Sequence, residues 1–499
     1  MTVREGAIIM TKKTGILIPI FSLPSNQGIG DFGRNAYHFM DMICEQGVNI
    51  WQILPLNPIA YGNSPYQPYS SFAGEPLYIS IDTLADYGLL KQSSTRNFNK
   101  FSNRVDYEGV RAFKEPYFKK AYKTFIKEFS RFSSEYQAFL EKAFWLNAYC
   151  AFITIKQKNH FEPWYNWPIQ DKEALFKRNG VLRDLESEIS YEMFLQFMFY
   201  KQWGELRDYA KEKGLEIMGD IPFYVGGDSA DVWANQDQFL LDQEGHPTFV
   251  AGVPPDYFSQ DGQRWGNPIY DWEKMKADGY RFWVDRLAWN QSQYDIIRID
   301  HFRAFDTYWQ IPAWCPTAKE GEWLLGPAYH FFDTILAKLP DINLVAEDLG
   351  DLRPEVITLK DHYNLMGMNV LQFEMAPKLL KRERGEHVIV YTGTHDNDTM
   401  EGAYQEIENN RKIALRRFFH NCGYRERNFY ELVVQYALST NAKLVIIPIQ
   451  DLLGLKSQAR INTPGTIGSP NWEWKLKNLK AVSEVLPKFG TWMKNSGRK

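Results

Sequence analysis

Three segments of this chain end an apolar run in a carboxylate. In Tyr294-Asp-Ile-Ile-Arg-Ile-Asp300-His301-Phe302-Arg303, the residues Ile296, Ile297 and Ile299 read as a short buried strand, with the acid placed where that strand leaves the core. Arg298 and Asp300 lie two apart and so share one face of an extended strand. A guanidinium beside a carboxylate favours its ionised form, and an ionised carboxylate is what nucleophilic attack on carbon requires. An ordinary ion pair at a strand end has the same spacing, so the other two segments carry weight. Asn343-Leu-Val-Ala-Glu347-Asp348-Leu-Gly350 and His387-Val-Ile-Val-Tyr-Thr-Gly-Thr-His395-Asp396-Asn397-Asp398 repeat the pattern of apolar run, then acid.

Two carboxyl groups with different protonation suit cleavage of a glycosidic bond: one stays charged and attacks, the other holds a proton for the leaving oxygen. With Asp300 as nucleophile, the longer Glu347 is the natural acid/base. A retaining route needs the two carboxyl groups about 5 to 5.5 Å apart. Asp396, assisted by His395, would then stabilise the flattened sugar ring. Asp396 also fits a turn or helix-capping acid.

The elements that must deliver these residues form a series. Strand signals lie at Gly15 to Pro19, Val48 to Leu56, Glu216 to Val225, the run ending at Asp300, the run ending at Glu347, Met368 to Glu374, the run before His395, and Lys443 to Asp451. Helical patterning fits Asn35 to Glu45, Tyr117 to Lys158, Ile189 to Lys211 and Tyr280 to Asn290. Eight strands alternating with helices predict a single α/β domain over residues 1–499, a (β/α)8 TIM barrel whose active site gathers at the C-terminal ends of the strands. Large insertions are expected after the second strand (57–213, mainly helical) and the third (226–275). Within the latter, residues 252–267 read as a substrate-covering loop.

Composition narrows the classes. The 499 residues carry a net charge of -4, which gives no reason to bind nucleic acid. The basic cluster Lys381-Arg382-Glu383-Arg384 reads as a solvated loop. No run is long enough to span a bilayer and no signal peptide is evident, so a cytoplasmic location is expected. Cys44, Cys150, Cys315 and Cys422 lack paired spacing and read as reduced thiols. A divalent cation among the acids is disfavoured by Arg298, His301 and His395, so neither metal nor cofactor is expected. Aromatic residues number 77, or 15%; their flat faces suit sugar rings as well as cores.

Asp300 in Arg-Ile-Asp-His, Glu347 in Ala-Glu-Asp-Leu-Gly and Asp396 in Thr-His-Asp-Asn resemble the catalytic triad of the α-amylase clan. More narrowly they resemble the 4-α-glucanotransferases called amylomaltases or disproportionating enzymes, glycoside hydrolase family 77. Further blocks agree: Gly28-Ile-Gly-Asp-Phe-Gly33, Trp51-Gln-Ile-Leu-Pro-Leu56, Ser64-Pro-Tyr-Gln-Pro-Tyr-Ser-Ser-Phe-Ala-Gly74, Gly219-Asp-Ile-Pro-Phe-Tyr-Val225, the stretch from Gly252 to Pro268, and Gly468-Ser-Pro-Asn-Trp472. The His that α-amylases carry five residues after the third-strand acid is Val225 here, which favours transferase over the alternative, an amylase-like hydrolase. The resemblance implies an α-1,4-glucan donor and a glucose or maltooligosaccharide acceptor as partners. It implies substrate contacts from Ser64, Tyr66, Asp220, Asp256, Tyr257, Phe258, Gln263, Trp265, Arg298, His301, His395, Gly468 and Asn471. A third possibility is a glucan-binding barrel without catalysis, which would be marked by loss of the carboxylates; all three are present.

Overall fold

The computed structural model describes residues 12–92, 104–255 and 260–498. Its strands, in chain order, are β1 (Lys13–Leu17), β2 (Ile50–Gln52), β3 (Glu216–Ile221), β4 (Phe249–Val253), β5 (Gln263–Pro268), β6 (Ile296–Ile299), β7 (Thr307–Pro312), β8 (Glu322–Leu325), β9 (Leu344–Ala346), β10 (Gly367–Val370), β11 (Val388–Tyr391) and β12 (Leu444–Pro448).

Eight of them form one parallel sheet in the order β10-β11-β12-β1-β2-β3-β6-β9. A bridge between Val345 and Met366 brings the two ends together, and the Ala346 N–H donates to the Met366 carbonyl at 2.9 Å. The expected (β/α)8 barrel is thus present, nearly closed. Its interior is filled by Leu17, Ile50, Met218, Ile296, Val345, Met368, Ile389 and Leu444, one from each strand. Side chains alternate along a strand, so the next inward positions on β2, β3 and β6 are Gln52, Asp220 and Arg298. The lumen therefore changes from apolar to charged within two residues.

Several strands are shorter than their apolar runs. The run from Met368 gives strand only to Val370 and continues as a 3-10 turn over Leu371–Glu374; the run ending at Asp451 turns into a short helix at Ile449–Leu452. Periodicity cannot see where hydrogen bonding stops. Helix Arg34–Glu45 joins β1 to β2. Between β2 and β3 lie helices Tyr107–Lys127, Ser133–Lys142, Leu146–Lys158 and Glu186–Glu212, among others. The first of these is anchored by Lys114, fully buried, whose Nζ donates to the carbonyls of Leu77 and Ile79 at 2.8 Å each and lies 3.4 Å from Asp31. Asp31 in turn accepts from the Gly33 N–H at 3.0 Å. At Gly30 a Cβ would sit 1.9 Å from the Ile20 carbonyl, so only glycine fits there.

The segment read as a covering loop, 252–267, has strand at both ends. β4 and β5 belong to a four-stranded antiparallel sheet, β5-β4-β7-β8, whose other two strands come from the connection after β6. Arg384, read as solvated, is turned inward. Its Nε donates to the Asn369 side chain at 2.7 Å and its Nη1 to the Leu380 carbonyl at 3.1 Å, so it braces β10. Among the described residues no helix is long and apolar enough to cross a membrane.

Candidate active site

Asp300 and Glu347 follow the last residues of neighbouring strands. The Asp300 N–H donates to the Ile221 carbonyl and the Glu347 N–H to the Ile299 carbonyl, both at 3.0 Å, so β3, β6 and β9 end in step. Inside the rim, Arg298 Nη1 donates to both oxygens of Asp220 at 2.7 Å, and Nη2 lies 3.0 Å from Asp300 Oδ1. Arg298 and Asp220 are almost fully buried, whereas the Asp300 side chain is 31% exposed. Burial pushes the Asp220 carboxyl up, while Arg298 and the Tyr66 hydroxyl pull it back.

After Asp300 the chain turns left-handed at His301 (φ 52°). That turn aims the His301 N–H at Glu347 Oε2, 2.8 Å away, while the Leu349 N–H donates to Oε1 at 3.0 Å. Burial, and next the charge of Asp300, push the Glu347 carboxyl up to about 7; Arg298 and the two N–H groups hold it back. Glu347 is thereby poised to give and take a proton near neutrality. Burial lowers the His301 imidazole to about 4, so it is neutral at pH 7. The Trp265 ring meets His301 edge-on with centroids 4.9 Å apart, and its Nε1 donates to Gln263 Oε1 at 3.2 Å. Gln67 Nε2 fixes the Trp265 carbonyl at 3.0 Å.

Across the rim, Asp396 Oδ1 accepts from Asn462 Nδ2 at 2.7 Å and lies 3.4 Å from His395 Nε2. Arg460 Nη2 donates to the Asp396 carbonyl at 2.6 Å. The turn that carries Asp396 is held from beneath by buried Asp451, which accepts from the Thr392 hydroxyl at 2.5 Å and the Met400 N–H at 2.6 Å. Tyr66 links the two sides. Its hydroxyl donates to Asp220 Oδ2 at 2.8 Å and lies 3.4 Å from His395 Nδ1, and its ring stacks on His395 with centroids 5.0 Å apart at 15°. Ser64 Oγ accepts the Tyr66 N–H at 3.3 Å.

Asp220, Arg298, Asp300, His301, Glu347, His395, Asp396, Tyr66 and Trp265 are therefore joined by direct contacts at one end of the barrel. Asn471 is different. Its Oδ1 accepts the Thr463 N–H at 2.9 Å, its Nδ2 donates to the Thr466 hydroxyl at 2.9 Å, and it is 3% exposed. Its amide thus holds its own loop, which turns at Gly468 (φ 80°). Asp256, Tyr257 and Phe258 lie outside the described residues. Sequence reading missed Asn462 and Arg460, which hold Asp396, and Trp472, whose ring lies 5.7 Å from Tyr66 and 5.9 Å from His395. Trp472 closes the last matching block, so its position was a usable signal; Asn462 and Arg460 sit in no apolar run or block. Among the described residues no group of three His, Cys, Asp or Glu side chains could hold a metal ion.

One carboxylate held by a guanidinium, a second carboxyl kept near neutral pKa, and a third acid beside a histidine and aromatic walls form an arrangement fit for nucleophilic displacement at a sugar carbon. The family model described as 4-alpha-glucanotransferase matches residues 18–481. The chain is 40% identical over 491 residues to a 4-alpha-glucanotransferase of Thermus thermophilus, covering 95% of this chain and 96% of that one. It is 41% identical to the 4-alpha-glucanotransferase of Synechocystis over 476 residues, with 93% of each chain covered. The solved structure of an amylomaltase from Streptococcus agalactiae in complex with acarbose superposes with a TM-score of 0.90 at 33% identity, covering 98% of this chain and 99% of that one. With a matched model spanning nearly its whole length and relatives at this identity along both chains, the protein belongs to the 4-alpha-glucanotransferase family, glycoside hydrolase family 77.

Proposed function

We propose that this enzyme transfers a segment of an α-1,4-glucan to the 4-hydroxyl of glucose or another α-1,4-glucan by double displacement. Asp300 attacks the anomeric carbon and the bond to the departing 4-oxygen breaks. That oxygen takes the Glu347 proton, leaving a glucosyl ester on Asp300. The acceptor 4-hydroxyl then gives its proton to Glu347 and attacks the same carbon, releasing Asp300 with overall retention. Asp396 hydrogen-bonds the hydroxyls of the reacting ring as it flattens, with His395 beside it. Tyr66 and Trp265 offer ring faces to neighbouring glucose units, and Arg298 holds the Asp300 side chain in place from 3.0 Å.

The observation that carries this reading is the unequal treatment of the two acids. Arg298 lies 3.0 Å from Asp300, whereas burial and the Asp300 charge hold Glu347 near 7. Nucleophile and proton donor thus coexist at one pH.

Maltotriose tests it. Glucose plus a ladder of longer oligosaccharides, with total reducing ends constant, is the expected result. Rising reducing ends with only shorter products would mean that water takes the second half-reaction, and the transfer reading would fail.

A further inference from the structure

A cavity of about 140 Å³ has a lining that includes none of Asp300, Glu347 and Asp396. It lies where helix Leu146–Lys158 meets helix Ala230–Ala234, beside helix Arg281–Gln291. Phe144, Trp145, Tyr149 and Phe282 give it aromatic walls, and Asp231 and Asn235 contribute polar groups. Trp145 is 5% exposed, and its indole N–H has no hydrogen-bond partner among the described residues. That N–H is closed off from the cavity, so Trp145 lines the space without offering it a donor. Asp231 is 3% exposed, with Oδ2 accepting the Ser71 N–H at 2.7 Å.

We propose that this cavity is a separate carbohydrate site that takes a single glucosyl unit, either free glucose or a chain end. The volume suits one six-membered sugar ring. Aromatic walls suit the apolar faces of the ring, while a carboxyl and a carboxamide suit its hydroxyls. Burial raises the Asp231 carboxyl to about 6, which lets it serve hydroxyls as acceptor and, when protonated, as donor. The assignment of a sugar rests on the transfer reading, because that reaction releases glucose; the cavity itself does not depend on it. The occupant would touch the strip that carries Tyr66. Ser70 and Phe72 line the cavity, and the Ala230 N–H donates to the Tyr69 carbonyl at 2.8 Å.

The test is ¹⁹F NMR of the full chain labelled with 5-fluorotryptophan, with the Trp145 resonance assigned by its loss in Trp145→Phe. Ala148, half-buried on the cavity lining, is changed to Trp to fill the space. Expected is a Trp145 resonance that shifts progressively with glucose in the parent, stays still in Ala148→Trp, and leaves the maltotriose ladder of Ala148→Trp intact. A Trp145 resonance unmoved by glucose raised well past its acceptor range, or moved equally in Ala148→Trp, overturns the proposal. So does a shift with tetramethylammonium but not glucose, which would make the pocket a cation cage. Absence of the maltotriose ladder from the parent protein would instead count against the transfer reading.

Discussion

Arg298 on β6 and Asp300, just past the end of that strand, meet through their side chains at 3.0 Å while the same guanidinium grips both oxygens of Asp220 on β3. One cation thus serves a reacting and a structural carboxylate, and the two are separable by mutation. Asp300→Asn preserves volume and should fold with an unchanged melting temperature while transfer from maltotriose falls at least ~10³-fold. Arg298→Met leaves Asp220 buried without its cation and should cost about 3–5 kcal/mol in denaturant unfolding. Full activity in Asp300→Asn would remove Asp300 from the role of nucleophile.

Glu347 sets the pH dependence. Its proton is needed in the first half-reaction, so kcat/KM should fall as pH rises through about 7, and the fall should be traceable to this residue. Stability follows the same group. Its folded pKa is above the ordinary glutamate value, so the folded protein binds the proton more tightly than the unfolded chain. That contribution is complete in acid below the ordinary value and is lost as pH rises to about 7. Glu347→Gln, which cannot ionise, should therefore gain stability on the order of 3 kcal/mol relative to the parent at pH 8 and little or none at pH 4. Chemical denaturation at the two pH values measures it; equal differences at both would show that Glu347 is not held near 7.

Tyr66 joins the two halves of the rim through its hydroxyl and stacks on His395 through its ring. Tyr66→Phe keeps the stack and removes the hydrogen bond to Asp220. The expected loss is about 1 kcal/mol, or roughly fivefold in kcat/KM, carried mainly by KM. Tyr66→Ala removes the wall as well and should lower kcat/KM further. An effect of Tyr66→Phe on kcat alone would mean that the hydroxyl acts in the chemical step.

Much of this was legible in the chain because the barrel is built from local signals. Ile296, Ile297 and Ile299 announce a strand, Arg298 and Asp300 must then share a face, and the strand order puts the ends of β3, β6 and β9 together. The four-stranded sheet was not legible. Phe249–Val253 pairs with Thr307–Pro312, more than fifty residues away, and the glycines and prolines between Gly252 and Pro268 read as turn rather than strand. A residue's partner was equally hidden where the contact is non-local. Asn462 on Asp396 and the Asp451 brace under Thr392 follow from chain crossings that no spacing encodes. Asp451 also marks a limit of apolar runs, because its strand had already ended at Pro448.

Asn471 offers the sharpest separation between contact with substrate and support for a residue that makes it. Its amide is spent on the Thr463 N–H and the Thr466 hydroxyl, and the next residue is Trp472, whose ring stands against Tyr66 and His395. Asn471→Ala breaks both side-chain bonds and leaves the N–H of the exposed Thr463 to water, a loss of about 1 kcal/mol. The loop 463–471 should then be cut faster by protease at its exposed turn around Ile467, and KM for maltotriose should rise with kcat nearly kept. Asn471→Asp retains the acceptor for the Thr463 N–H and should recover most of the protease resistance. If instead Asn471→Ala leaves the loop as resistant as the parent while KM rises, the amide acts on the glucan directly, and the wall around Tyr66 extends one residue further than these hydrogen bonds imply.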